Sequence, residues 1–240
     1  MGWSTVQIEG KPVEVLVPAK VTPTTGVLLF LHGYDGVTLK ENQVFSQQLE
    51  KHQLIGICPL AERCWWTDVV YPPFDDQISP LSFLADRVPG FCEQMWGIST
   101  PRIAVSGIEM GGQGALQLTY RYARKFPIVV AISPKVDFEM WWGHGTTLDM
   151  LFADREAARQ RIATLHIHPL DYPKHQFLFC DPADVHCIDG VLTLASKLSS
   201  SGIPYDHDFE TSSGGYGWNY ANSIGVRAVD YVATKLSTIR

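Results

Sequence analysis

Residues Gly107 to Gly111 read Gly-Ile-Glu-Met-Gly, within the longer stretch "AVSGIEMGGQGAL" from Ala104 to Leu116. A short apolar run leads in and a glycine-rich turn leads out. That is the outline of the strand–turn–helix elbow whose pattern, Gly-x-Ser-x-Gly, carries a nucleophile at its apex. Here the apex is Glu109. The flanking positions must lack side chains because strand and helix close on each other there, and Gly107 and Gly111 meet that need. The helix that follows aims its N-terminus at the apex and favours negative charge. A carboxylate so placed has three chemistries open to it. It can attack as a nucleophile, move a proton as a general acid–base, or accept hydrogen bonds and do no catalysis.

Other groups could do chemistry. Ser106 lies three residues before the apex, inside the strand end, with no base placed for it. His166 and His168, in "TLHIHP", share a face if extended and have metal-ligand spacing. No third ligand or paired carboxylate is evident beside them, so no metal site is expected. Trp65 and Trp66, in "RCWWTD", and Trp141 and Trp142, in "EMWWGHG", are expected to wall a pocket for an apolar or aromatic ligand.

Positioning such groups takes a scaffold, and the pattern supplies one. Strands are expected over 13–18, 26–33, 54–59, 102–107, 128–134, 175–182 and 205–211. Helices are expected over 42–52, 81–97 (with Pro89 a kink or boundary), 111–126, 188–202 and 221–236. Alternating β and α units predict a mostly parallel sheet covered on both faces, in one α/β domain. Residues 137–173 interrupt that rhythm and are expected to form a short lid at the carboxyl edge of the sheet, where ligands bind in such folds.

The bulk numbers narrow the class. The 240 residues are 45% hydrophobic, enough for one domain with a sizeable core. A net charge of −6 with no basic run argues against a nucleic-acid partner. There is no signal-peptide pattern and no apolar run of membrane length. Five irregularly spaced cysteines suggest reduced thiols and a cytoplasmic protein rather than a disulfide framework. No cofactor is expected. The partner expected is a small molecule, and homodimerisation stays open.

Four segments together carry a family resemblance. "FLHGYDG" (30–36) falls where an oxyanion loop would lie. "GIEMGGQGAL" resembles the GxSMGGxGAL elbow of the esterase D and S-formylglutathione hydrolase branch of the α/β-hydrolases. "CDPADVHCIDG" (180–190) is similar to that branch's acid loop, and "SSGGYGWNY" (212–220) to its GGHxWxYW histidine loop. The resemblance runs from Val13 to the last helix. It implies an α/β-hydrolase fold, a triad position at Glu109, Asp184 and Tyr216, and oxyanion donors at the backbone N–H groups of Tyr34 and Met110.

Two of the three triad types are changed: glutamate stands for serine and tyrosine for histidine. The resemblance therefore implies that ordinary Ser-His-Asp ester hydrolysis is absent or very weak. Related α/β-hydrolases use an aspartate nucleophile, but they need a histidine to release the ester. Tyr216, with an ordinary pKa of about 10, is a poor base near neutral pH. His186 and His207 are open as replacements. What remains open at Glu109 is a carboxylate-based hydrolase, a lyase or isomerase acting on a carbonyl compound, or a self-plugged pocket that only binds.

Overall fold

The computed structural model describes residues 2–239. Eight strands form one sheet in the order β1-β2-β4-β3-β5-β6-β7-β8. They are β1 (Trp3–Ile8), β2 (Lys11–Leu16), β3 (Val27–Leu31), β4 (Ile55–Pro59), β5 (Ile103–Ile108), β6 (Ile128–Ile132), β7 (His175–Phe179) and β8 (Asp206–Asp208). From β4 to β8 every pairing is parallel, while β1 and β2 run antiparallel at one edge. The sequence reading omitted β1. It is tied to β2 by the turn Glu9–Gly10, where φ is 47° and 78°. Two successive residues at positive φ match the right-handed twist of a two-residue hairpin.

The helices are α1 (Gln43–Lys51), α2 (Pro80–Ser82), α3 (Val88–Trp96), α4 (Met110–Arg121), α5 (Leu148–Leu151), α6 (Arg155–Arg159), α7 (Ile188–Ser200) and α8 (Trp218–Thr238). The helix expected over 81–97 runs without a gap from Pro80 to Trp96, but its winding changes along the way. A wide, π-type turn over Phe83–Arg87 separates α2 from α3, and Pro89 sits in the first turn of α3, where its missing N–H costs nothing.

Strand alternation sorts the core into two layers. Leu28, Phe30, Ala104, Ile108, Val130 and Ile132 face α1 and α8. Leu29, Leu31, Val105, Val129 and Ala131 face the layer of α3, α4 and α7. Burial on both faces explains why the central strands read as continuous apolar runs. Residues 137–173 form short helical turns between β6 and β7. They are pinned to the loops after β3 and β4: the Thr147 N–H donates to Tyr34 Oη at 3.2 Å, and its hydroxyl donates to Arg63 O at 2.5 Å. All five cysteines are buried free thiols. Among the described residues no helix is long and apolar enough to cross a membrane.

Candidate functional site

The elbow is closed by backbone. A Cβ on Gly107 would lie 2.2 Å from Gly111 O, and one on Gly111 would lie 1.9 Å from Leu31 O. Neither position can take a side chain without moving main chain. Glu109 at the apex has φ 56° and ψ −113°, a strained conformation for any residue with a Cβ. It is over-determined by hydrogen bonds: its N–H donates to Ile132 O, and its carbonyl accepts from Gln113 N–H and Lys135 N–H.

The Glu109 side chain is buried, 5% exposed, and turns toward the loop after β3. The Tyr34 N–H donates to Oε2 at 2.8 Å. A Cβ on Gly33 would come within 2.7 Å of that same oxygen, so the carboxylate lies directly on the loop backbone. Oε1 faces the Lys135 ammonium at 3.5 Å, and both side chains are 6% exposed. Lys135 Nζ also sits 4.0 Å from the Trp141 ring centre and 5.4 Å from that of Tyr216. Sequence reasoning missed Lys135. Its signal was a lone charge three residues past an apolar strand, at the carboxyl edge of the sheet beside the elbow strand.

The acid loop follows β7. Asp184 is 1% exposed; its Oδ1 accepts the His186 N–H at 3.1 Å, while Oδ2 has no partner. The heavily bonded carboxylate of this loop is instead Asp181, another residue the sequence reading passed over. Asp181 accepts from Ala183 N–H, Ser212 Oγ, Ser213 N–H and Gly215 N–H at 2.6–2.8 Å. Burial pushes its carboxyl up, but these four donors outweigh burial and hold it below the usual range. Asp181 thereby fixes the glycine-rich loop that presents Tyr216.

Tyr216 is 48% exposed, with its ring 6.4 Å from that of His186. Partial burial, then the neighbouring Glu109 charge, push its hydroxyl well above the ordinary tyrosine value. It keeps its proton at neutral pH.

The other sequence candidates separate. Trp141 comes to the site, between Lys135 and His186. Trp142 instead donates to Phe152 O at 3.0 Å and braces the 137–173 segment. Trp65 and Trp66, expected to line a pocket, are 1% and 0% exposed and belong to the core. Gly114 explains Trp66: a Cβ there would lie 2.3 Å from Trp66 Cβ and 2.7 Å from its indole Cγ, so the side chain packs directly on α4. Met110 opens α4, and its Sδ accepts the Trp65 N–H at 3.3 Å.

His32 is 2% exposed, bonded to Gly33 O through Nδ1 and to Ala61 N–H through Nε2; burial lowers its pKa. Its role is to hold the oxyanion loop. Asp35 accepts from Val37 N–H and Trp218 Nε1, as a turn former does. Ser106 is buried within β5. His166 meets the Arg121 guanidinium, and burial followed by that charge lowers it to about 4. His168 accepts the Leu170 N–H. His207 stacks between Tyr205 and Phe209 on β8, whereas His186 reaches the Trp141–Tyr216 side of the site.

A cavity of about 360 Å³ opens beside Tyr34, lined by Asp35, Gly36, Glu62, Arg63, Tyr71 and Thr147. A larger one, about 510 Å³, lies among Pro101, Pro127 and Lys174, residues that precede strands. It is therefore at the edge of the sheet opposite the elbow.

Comparison with known proteins places this geometry. A family model described as putative esterase matches residues 74–178, a span that includes the elbow and Lys135 but neither Asp184 nor Tyr216. No curated protein matches the sequence significantly. Among solved structures, an S-formylglutathione hydrolase from Agrobacterium tumefaciens superposes with a TM-score of 0.74 at 15% identity, covering 98% of this chain and 100% of that one. S-formylglutathione hydrolase FrmB from Staphylococcus aureus gives 0.75 at 15% identity, covering 97% and 98%. A ferulic acid esterase gives 0.74 at 16% identity, covering 98% and 99%.

Proposed function

Starting from a chain that has the α/β-hydrolase fold of the S-formylglutathione hydrolase-like esterases, we propose that it has given up serine-esterase chemistry. Its triad-equivalent site serves to bind or transform a small carbonyl or acyl compound. The observation that carries this reading is the 2.8 Å bond from Tyr34 N–H to Glu109 Oε2. An oxyanion hole accelerates acyl transfer only if its donors are free to meet charge that develops on the substrate. Here a donor is satisfied in advance by the protein's own carboxylate.

The remaining requirements point the same way. Glu109 has one oxygen held by the Tyr34 N–H and the other facing the Lys135 ammonium at 3.5 Å, and both neighbours weaken it as a nucleophile. Tyr216 holds its proton and supplies no base to hydrolyse an ester intermediate. Glu109 and Lys135 neutralise each other behind the Trp141 and Tyr216 rings, so an uncharged ligand suits the site better than an ion.

The test is hydrolysis of 4-nitrophenyl acetate by wild-type protein beside Glu109→Gln. Neither is expected to exceed the buffer rate. Saturable wild-type turnover that Glu109→Gln abolishes would establish a carboxylate-based hydrolase and overturn the proposal.

A further inference from the structure

We propose that Lys135 is an imine-forming amine, taking small neutral aldehydes or ketones with Glu109 as its proton shuttle. The inference rests on the reading that the site accepts a carbonyl compound, and it names the group that would react with one.

Lys135 is a lysine with almost no solvent, 6% exposed, rooted three residues past β6. Its backbone N–H is tied to the Glu109 carbonyl at 3.1 Å, so apex and lysine hold a fixed relation. Among the described residues its one ionic partner is Glu109 Oε1 at 3.5 Å, well beyond the 2.7–2.9 Å typical of a charge-assisted bond. Its other close neighbours are the faces of Trp141 and Tyr216. An ammonium has three donors, and here they meet aromatic faces and one distant oxygen. A carbonyl oxygen entering between the rings would give it a short acceptor.

The surroundings fit the ligand class. The pair is neutral as a whole and its walls are aromatic. The outer wall, Tyr216, is half exposed and stands between Gly215 and Gly217, both at positive φ, so the way in passes a side chain on a glycine-flanked loop. Tyr34 N–H holds Oε2, leaving Oε1, the oxygen nearest Nζ, to carry the proton.

The step balances. Glu109 Oε1 takes a proton from the ammonium, and the freed nitrogen lone pair forms a C–N bond at the carbonyl carbon. The C=O π pair moves to oxygen, which takes the proton back from Glu109. A second proton from the carbinolamine nitrogen passes through Oε1 to the hydroxyl, which leaves as water as the nitrogen lone pair forms C=N. One ammonium and one carbonyl give one protonated imine and one water, with Glu109 unchanged.

The experiment is reductive trapping of the full-length protein with benzaldehyde and sodium cyanoborohydride at neutral pH, followed by peptide mapping across its nine lysines. Lys135 is expected to label at least about tenfold faster than any other lysine, and Glu109→Gln to slow that label by about tenfold or more while sparing the others. Lys135→Arg removes only that label. Wild-type labelling confined to exposed lysines overturns the proposal without any variant having to fold. An undiminished Lys135 label in Glu109→Gln overturns the shuttle. Ester hydrolysis is a separate readout: turnover there strikes the proposed loss of esterase chemistry, whereas an unlabelled Lys135 strikes only the imine.

Discussion

Glu109 and Asp184 are both buried carboxylates in loops at the carboxyl edge of the sheet, yet their surroundings differ. Glu109 has each oxygen engaged, one by Tyr34 N–H and one by Lys135, on a backbone whose glycines admit no side chain. Asp184 has one oxygen on a neighbouring N–H and the other bare, while Asp181, three residues earlier, carries the hydrogen bonds that shape the loop. The elbow half has been closed on itself. The Asp184 half keeps a carboxylate oxygen with no hydrogen-bond donor among the described residues. Two buried carboxylates at one sheet edge can thus differ sharply, one with both oxygens facing donors and the other with one oxygen open.

That contrast can be broken experimentally. The largest effect is expected from Gly111→Ala, whose methyl would overlap Leu31 O. The stability loss should exceed about 4 kcal/mol and show as loss of cooperative thermal unfolding. A folded, fully stable variant would mean that the elbow is not the rigid half.

Next comes Glu109→Gln, which keeps an acceptor for Tyr34 but strands the buried ammonium of Lys135. A loss of about 3 kcal/mol in urea unfolding is expected, most of it recovered when Lys135→Met is added. Additive losses would show that the two side chains are not coupled.

Asp181→Asn places an amide among four donors and should cost about 2 kcal/mol. Asp181 and Asp208 are both held below 3.8, despite burial, by the donors around them, including Arg227 for Asp208. The unfolded chain therefore binds more protons than the folded one in that range. Their contribution should be full at neutral pH and drain away as pH falls below about 4, a slope that Asp181→Asn should reduce.

The smallest effect is expected at Asp184→Asn, which keeps the acceptor for His186 N–H and removes a charge with nothing to pair with. Stability should hold or rise, by no more than about 1 kcal/mol. A large loss would show that Asp184 is as structural as Asp181 and that the two halves are alike.

Much of the fold was legible in order. Apolar runs marked β2 to β8, and glycine spacing marked the elbow, because strand periodicity and close backbone approach are properties of a few adjacent residues. The edge strand β1, with its mixed burial, left no such run. The site was legible only in part. The motif pointed to Glu109 and the loops of Asp184 and Tyr216, but Trp65 and Trp66, expected to wall a pocket, lie in the core.

By itself, then, the sequence determined the element order, the bare glycines of the elbow and a carboxylate at its apex, since each follows from local sterics and hydrophobic pattern. Tertiary structure alone decided what that carboxylate does. Tyr34 lies 75 residues before Glu109 and meets it because β3 pairs with β5. Lys135 meets it because β5 pairs with β6. Asp181 rather than Asp184 holds the last loop because four donors converge there from 183, 212, 213 and 215. Such pairings depend on which strand ends lie side by side, and no window of neighbouring residues contains that information.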